Sequence, residues 1–182
     1  MKLIILDRDG VINEDSDGFI KSPDEWVPIS GSLESIAQLN RAGYQVIVIT
    51  NQSGLGRKLF DIRVLNEIHE KMFQQLALLG GRIDSILFCP HVPDDNCACR
   101  KPKPGLFIEL KKRLNLSLEN VYAVGDSLRD LQAARQAGAI PVLVCTGKGE
   151  RTLKENSGME DLQVFTNLAE FTEKLLSPGK VK

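Results

Sequence analysis

Asp7 and Asp9, separated by Arg8 and followed by Gly10-Val11, stand directly after the apolar run Leu3-Ile4-Ile5-Leu6. Carboxylates that close repel each other unless a cation lies between them or one keeps a proton. Such a pair suits a divalent metal and nucleophilic or acid–base work on an anionic group, although a capped turn uses the same residues. Other stretches offer partners. Thr50-Asn51-Gln52-Ser53, Arg100-Lys101-Pro102 and Gly125-Asp126-Ser127-Leu128-Arg129-Asp130 also follow apolar segments, and they add a hydroxyl, cations and further acids. Metal-assisted phosphoryl transfer calls for this combination: carboxylates for Mg²⁺, a nucleophile, a proton donor for the leaving oxygen, and donors for the phosphoryl oxygens.

A second constellation is Cys89-Pro90-His91 with Cys97-Ala98-Cys99. Three thiolates and an imidazole make a tetrahedral Zn²⁺ set with no open position, hence a structural ion. The alternative is a cluster of small buried residues with His91 at the surface. A zinc clip here would stiffen the loop just before Arg100 and Lys101. Cys145 lies alone in an apolar segment and suits a core position, and His69 falls on a long helix with no assigned role.

These side chains need strand ends to bring them together. Leu3 to Leu6, apolar without alternation, predicts a strand buried on both faces, as parallel sheets require. Tyr44–Ile49, Ser85–Phe88, Val121–Val124 and Pro141–Cys145 read as further strands. Helices are expected from an N-cap at Ser32 to Gly43, from Asp61 to Gly80-Gly81, from near Pro104, over Leu131–Ala137 closed by Gly138, and over Leu168–Leu176. Asn13 to Ser30 predicts an irregular flap with room for a short strand, and Lys148 to Asp161 a polar, mobile segment. Strands alternating with helices imply right-handed crossovers and an α/β, doubly wound, mainly parallel sheet whose strand ends share one edge. With 182 residues and no linker or internal repeat, a single domain over 1–182 is expected.

The formal net charge of -1 gives no general attraction to nucleic acid or anionic membrane, so phosphate recognition must be local. No apolar run approaches a membrane span, and Met1-Lys2-Leu3 leads straight into the first strand without the apolar core of a signal peptide, so a cytoplasmic location is expected. The four cysteines are spaced unevenly, which fits a metal site better than a disulfide framework. Without an evident apolar interaction segment, a monomer is the default.

Taken in order, Asp7-Arg8-Asp9-Gly10-Val11, Thr50-Asn51-Gln52, Lys101-Pro102 and Gly125-Asp126-Ser127-Leu128-Arg129-Asp130 resemble the motifs of the haloacid dehalogenase superfamily. The resemblance implies a Rossmann-like fold, here without a large cap domain, and a Mg²⁺-dependent phosphomonoesterase. By it, Asp7 attacks phosphorus and forms an aspartyl-phosphate, while Asp9 protonates the leaving alkoxide and then deprotonates water. Thr50 and Lys101 would hold the transferring oxygens. Asp7, the Asp9 carbonyl and Asp126 would bind Mg²⁺, with Asp130 orienting that shell.

No insertion large enough for a cap interrupts the motifs, so the site should be open and shaped by the flap, the Ser53 to Lys58 loop and the zinc loop. Contacts to a sugar phosphate are expected from Arg8, Asp15, Asp17, Gly18, Phe19, Asn51, Gln52, Ser53, Arg100 and Ser127. Within the superfamily, the motif set together with Cys-Arg-Lys-Pro is similar to the heptose bisphosphate phosphatases that serve nucleotide-activated heptose for surface glycans. Histidinol-phosphate phosphatases carry the same zinc loop, and Val92-Pro93-Asp94-Asp95-Asn96 resembles theirs as much. Charge separates the two branches. Histidinol phosphate bears an ammonium, yet Ser53 is neutral where that branch typically has an acid. Arg100, Arg129 and Lys148 are cations suited to a second phosphate, though Arg129 and Lys148 equally suit a solvated surface. Ser127 stands where some heptose enzymes have Lys, and Leu55-Gly56-Arg57 departs from their Ile-Ala-Arg. A receiver-type signalling domain would carry its phosphorylated Asp after a middle strand and its Lys after the last, with no use for a zinc loop.

Overall fold

A computed structural model describes residues 2–155 and 162–177. The chain runs β1 (Lys2–Leu6), α1 (Ser32–Arg41), β2 (Tyr44–Asn51), α2 (Ser53–Gly56), α3 (Ile62–Leu78), β3 (Ser85–Cys89), α4 (Gly105–Leu114), β4 (Tyr122–Gly125), α5 (Leu128–Ala137), β5 (Ile140–Val144), α6 (Gly149–Glu155), β6 (Gln163–Phe165) and α7 (Leu168–Leu176). The strands form one six-stranded sheet in the order β3-β2-β1-β4-β5-β6. Every pair is parallel. No large cap interrupts it, and the doubly wound arrangement expected from the sequence is present.

The unbroken apolar strands are explained by cover on both faces. Ile4 and Leu6 of β1 join Val46 and Val48 of β2 in a core with α1, α3 and α7, whereas Leu3, Ile5, Ile47 and Ile49 point into the opposite core with α4 and α5. Period-two alternation thus sorts residues that are all apolar. Because β1 pairs with both β2 and β4, its carboxyl end lies between theirs. That edge gathers the motifs.

Several local expectations are corrected. Ser32 is the first residue of α1, not its cap; Gly31 holds the N-cap position in the left-handed region, and the Ser32 hydroxyl donates to the Ile12 carbonyl at 2.6 Å. Asp61 does cap α3, accepting from the amides of Arg63 and Val64. The flap holds only isolated bridges, Asn13 with Asp9 and with Pro28, and no named strand. The Ser53 loop opens with the short helix α2. The segment expected to be mobile from Lys148 holds α6, whose buried Gly149 and Thr152 pack on the sheet; its remainder from 156 to 161 lies outside the described residues. Strand β6 was not anticipated, because three residues are too few for a periodic signal. Among the described residues no helix is long and apolar enough to cross a membrane.

Candidate active site

Asp7 leaves β1 with its amide bonded to the Val124 carbonyl of β4 at 2.9 Å, which aims its carboxylate across the sheet edge. Lys101 is 2% exposed; its ammonium lies 3.0 Å from Asp7, 2.7 Å from Asp130 and 2.8 Å from the Ile49 carbonyl. Carboxylate oxygens of Asp7, Asp126 and Asp130 come within 4.8 Å of one another. All three are buried. Burial pushes Asp126 up to about 8, with the carboxylates of Asp130 and Asp7 adding to the rise. Asp7 is raised by burial to about 6, with Lys101 opposing. Asp130 is held low against burial by Lys101 and Arg129. Asp7 and Asp126, both raised above the usual carboxylate range beside a third buried acid, are donors suited to a hard divalent cation, which would take the place of their protons.

Asp126 reaches this position because two glycines make room. A Cβ on Gly10 or Gly147 would overlap its carboxylate, and both residues have positive φ, 85° and 54°. Its Oδ2 also accepts from the Lys148 amide at 2.7 Å. Asp130 accepts from the Ser127 amide at 3.0 Å and from the Ser127 hydroxyl, so Ser127 is committed to starting α5. Asp130 is thus engaged both by Ser127 and by the Lys101 ammonium.

Asp9 faces Asp7 from a different environment. Burial is the largest influence and raises its proton affinity, but the Arg8 guanidinium and the hydrogen bonds from Asn13 and Gln52 together hold it below the ordinary range. Gln52 Nε2 donates to Asp9 at 2.9 Å and to the Thr50 hydroxyl at 3.0 Å. Asn51 ties the motif loops together, donating to the Lys101 carbonyl and accepting from the Lys101 amide, both at 3.1 Å.

A cavity of about 210 Å³ opens over these groups, lined among others by Asp7, Asp9, Thr50, Asn51, Gln52, Ser53, Asp15, Asp17 and Phe19. Arg57, Arg100, Arg129 and Lys148 supply its cations. Lys148 is engaged by Asp15 at 2.7 Å. The Arg129 Nε is buried without a hydrogen-bond partner among the described residues. Of the expected substrate contacts, Gly18 and Ser127 do not line the cavity, and Arg8 is fully buried with its charge spent on Asp9. Arg57, which was not among the expected contacts, also lines the cavity; it lies over the Phe19 ring at 5.8 Å, a contact between separate loops that leaves no signal in the sequence.

The thiols and His91 also converge. Cys99 Sγ lies 3.2 Å from Cys89 and 3.4 Å from Cys97, with Cys89 and Cys97 3.6 Å apart. His91 Nδ1 is 3.3 Å from Cys99 and 3.6 Å from Cys89. The edges of a tetrahedron with bonds of about 2.0–2.3 Å are roughly 3.3–3.8 Å, so the donor set fits zinc. None of these cysteines is in a disulfide. The loop is joined to the site, since Arg100 donates to the His91 carbonyl at 3.2 Å and the amides of Gln52 and Gly56 donate to the carbonyls of Cys89 and Pro90.

A family model of haloacid dehalogenase-like hydrolases matches residues 1–138, and the chain belongs to that family of hydrolases. More particularly, it is 56% identical over 97% of its length, and 98% of the relative's, to a D-glycero-beta-D-manno-heptose-1,7-bisphosphate 7-phosphatase of Bordetella bronchiseptica. It is 51% identical, over 97% of this chain and 95% of the other, to a protein of the same name from Neisseria meningitidis serogroup A. A crystal structure of D,D-heptose 1,7-bisphosphate phosphatase from B. bronchiseptica complexed with magnesium and phosphate superposes with a TM-score of 0.95, covering 97% of this chain and 98% of that one.

Proposed function

We propose that this chain hydrolyses the 7-phosphate of D-glycero-β-D-manno-heptose 1,7-bisphosphate, leaving the 1-phosphate in place. The observation that carries the reading is the convergence of Asp7, Asp126 and Lys101 at one strand edge, together with the activity named for relatives above half identity. Asp7 attacks phosphorus as the bond to the C7 oxygen breaks. Asp9 delivers a proton to the departing alkoxide, then takes one from the water that hydrolyses the aspartyl-phosphate and frees Asp7. Asp9 is ionised in the free protein; a bound phosphate dianion beside it raises its proton affinity for the first step. Lys101 and the Thr50 hydroxyl hold the phosphoryl oxygens that gain charge. Mg²⁺, held by Asp7, Asp126 and the Asp9 carbonyl, would neutralise the phosphoryl group.

Arg57, Arg100 and Arg129 are the cations we assign to the distal phosphate, because Lys148 already neutralises Asp15. Cys89, His91, Cys97 and Cys99 would hold a structural Zn²⁺. Thiols left unpaired by disulfides fit a reducing compartment, the cytoplasm, and we take the chain to work there as a single-domain monomer.

The test compares kcat/KM for the β and α anomers of the heptose bisphosphate with that for histidinol phosphate, and follows by ³¹P NMR which phosphate is released. The β anomer should be preferred and inorganic phosphate should come from C7. Preference for histidinol phosphate, or release from C1, refutes the substrate. Asp7→Asn should be inactive yet folded, and near-wild-type turnover would remove Asp7 as nucleophile.

A further inference from the structure

Among the described residues, Arg8 is the largest charged side chain with no exposure at all. Its Nε and Nη2 fork the Asp9 carboxylate at 3.0 and 3.1 Å. The remaining nitrogen, Nη1, meets His69 Nε2 at 3.3 Å. His69 comes from the middle of α3 and is itself 7% exposed, so no bulk water competes for this contact. A guanidinium has donors and no acceptor. The pair therefore fixes the imidazole as neutral, with Nε2 bare and the proton on Nδ1.

From this chain of contacts we propose that His69 is a positioning residue for the acid–base step: by accepting from Arg8 Nη1 it locks the guanidinium in the plane that aims the Asp9 carboxylate at the leaving oxygen. The inference rests on the role assigned to Asp9 above. The geometry favours it over mere filling of the core. A guanidinium held only by Asp9 could pivot about the shared carboxylate, whereas a third contact from a different element leaves one orientation. A rigid helix supports it: α3 is also tied to the flap by Lys71, whose ammonium donates to the carbonyls of Pro23 and Trp26 at 2.6 and 2.9 Å. Asn13 and Gln52 grip Asp9 on its other edges. His69 acts through Arg8 and touches neither substrate nor reacting atoms.

Positioning of a general acid has a signature that packing lacks. An alkyl leaving group needs the proton from Asp9, while p-nitrophenolate departs without one. The experiment measures kcat/KM, which reports the phosphorylation of Asp7, for the heptose bisphosphate and for p-nitrophenyl phosphate in wild type, His69→Met and His69→Gln. Gln places a carbonyl oxygen near the Nε2 position, and Met fills similar space without a comparable acceptor. His69→Met should lose on the order of 10- to 100-fold on the sugar phosphate and little on the aryl ester, with kcat falling more than KM changes; His69→Gln should recover most of the loss. Equal losses on both esters, no loss in His69→Met, or no rescue by Gln overturns the proposal. Should His69→Met not fold, His69→Leu replaces it, since it too lacks an acceptor for Arg8 Nη1, and the same ester-selective loss is required. Asp9→Asn, run alongside, separates the two readings. If it retains hydrolysis of the sugar phosphate, the role of Asp9 fails; if it is inactive and His69→Met behaves as wild type, only the role of His69 fails.

Discussion

Replacing Lys101 with Met keeps the aliphatic stem and removes one buried charge. The ammonium stands 3.0 Å from Asp7 and 2.7 Å from Asp130. At an effective dielectric of about 20, each contact represents roughly 5–6 kcal/mol of attraction, offset by several kcal/mol for taking the ammonium out of water. Deleting it strands two carboxylates, and breaking a buried pair from one side costs about 3–5 kcal/mol. That cost must depend on pH. Against burial, Lys101 and Arg129 hold Asp130 below its ordinary range. A carboxylate depressed in the folded state contributes stability above its unfolded pKa, and that contribution disappears as pH falls through the folded value. Without Lys101, both Asp130 and Asp7 bind protons at higher pH, so the deficit against wild type is greatest near pH 8 and shrinks toward about pH 4.5. Urea denaturation of both proteins in EDTA across that range measures it. A deficit below about 1 kcal/mol at pH 8, the level of an exposed pair, or one that does not vary with pH, would refute the account of Lys101 as the counter-ion of this acidic cluster.

Burial, with Arg8 second, pushes His69 down to about 4; its neutral form is favoured by folding, so wild type should lose up to about 3 kcal/mol as pH falls from about 6.5 to 4, a loss absent from His69→Gln in the same denaturation series. Cys97→Ser should lower zinc content and melting temperature together, with phosphatase activity falling because Arg100 leans on the His91 carbonyl; unchanged zinc on metal analysis would remove the site. Gly147→Ala places a Cβ against Asp126 and the Gly10 backbone at φ 54°. It should raise the Mg²⁺ concentration for half-maximal activity and cost about 1–2 kcal/mol of strain; an unchanged Mg²⁺ requirement would show that Asp126 is not confined by Gly147.

Local signals in the chain determined the scaffold and the chemistry. Apolar runs too unbroken for a half-buried sheet, each ending in acids, a hydroxyl or a glycine turn, dictate parallel strands whose polar ends meet at one edge, because strand order and crossover handedness leave few alternatives. Asp7, Thr50, Lys101 and Asp126 were legible for that reason, and so were the thiols, whose spacing within one loop is itself the signal. The tertiary structure decided what each charge is spent on. Arg8 was expected at the substrate, yet side chains separated by 61 residues in sequence bury it between Asp9 and His69, and Lys148 turns to Asp15 while Arg57 turns to Phe19. The reason is that a charge's partner is chosen by packing between distant segments and by loss of solvent, and neither leaves a periodic trace in the chain.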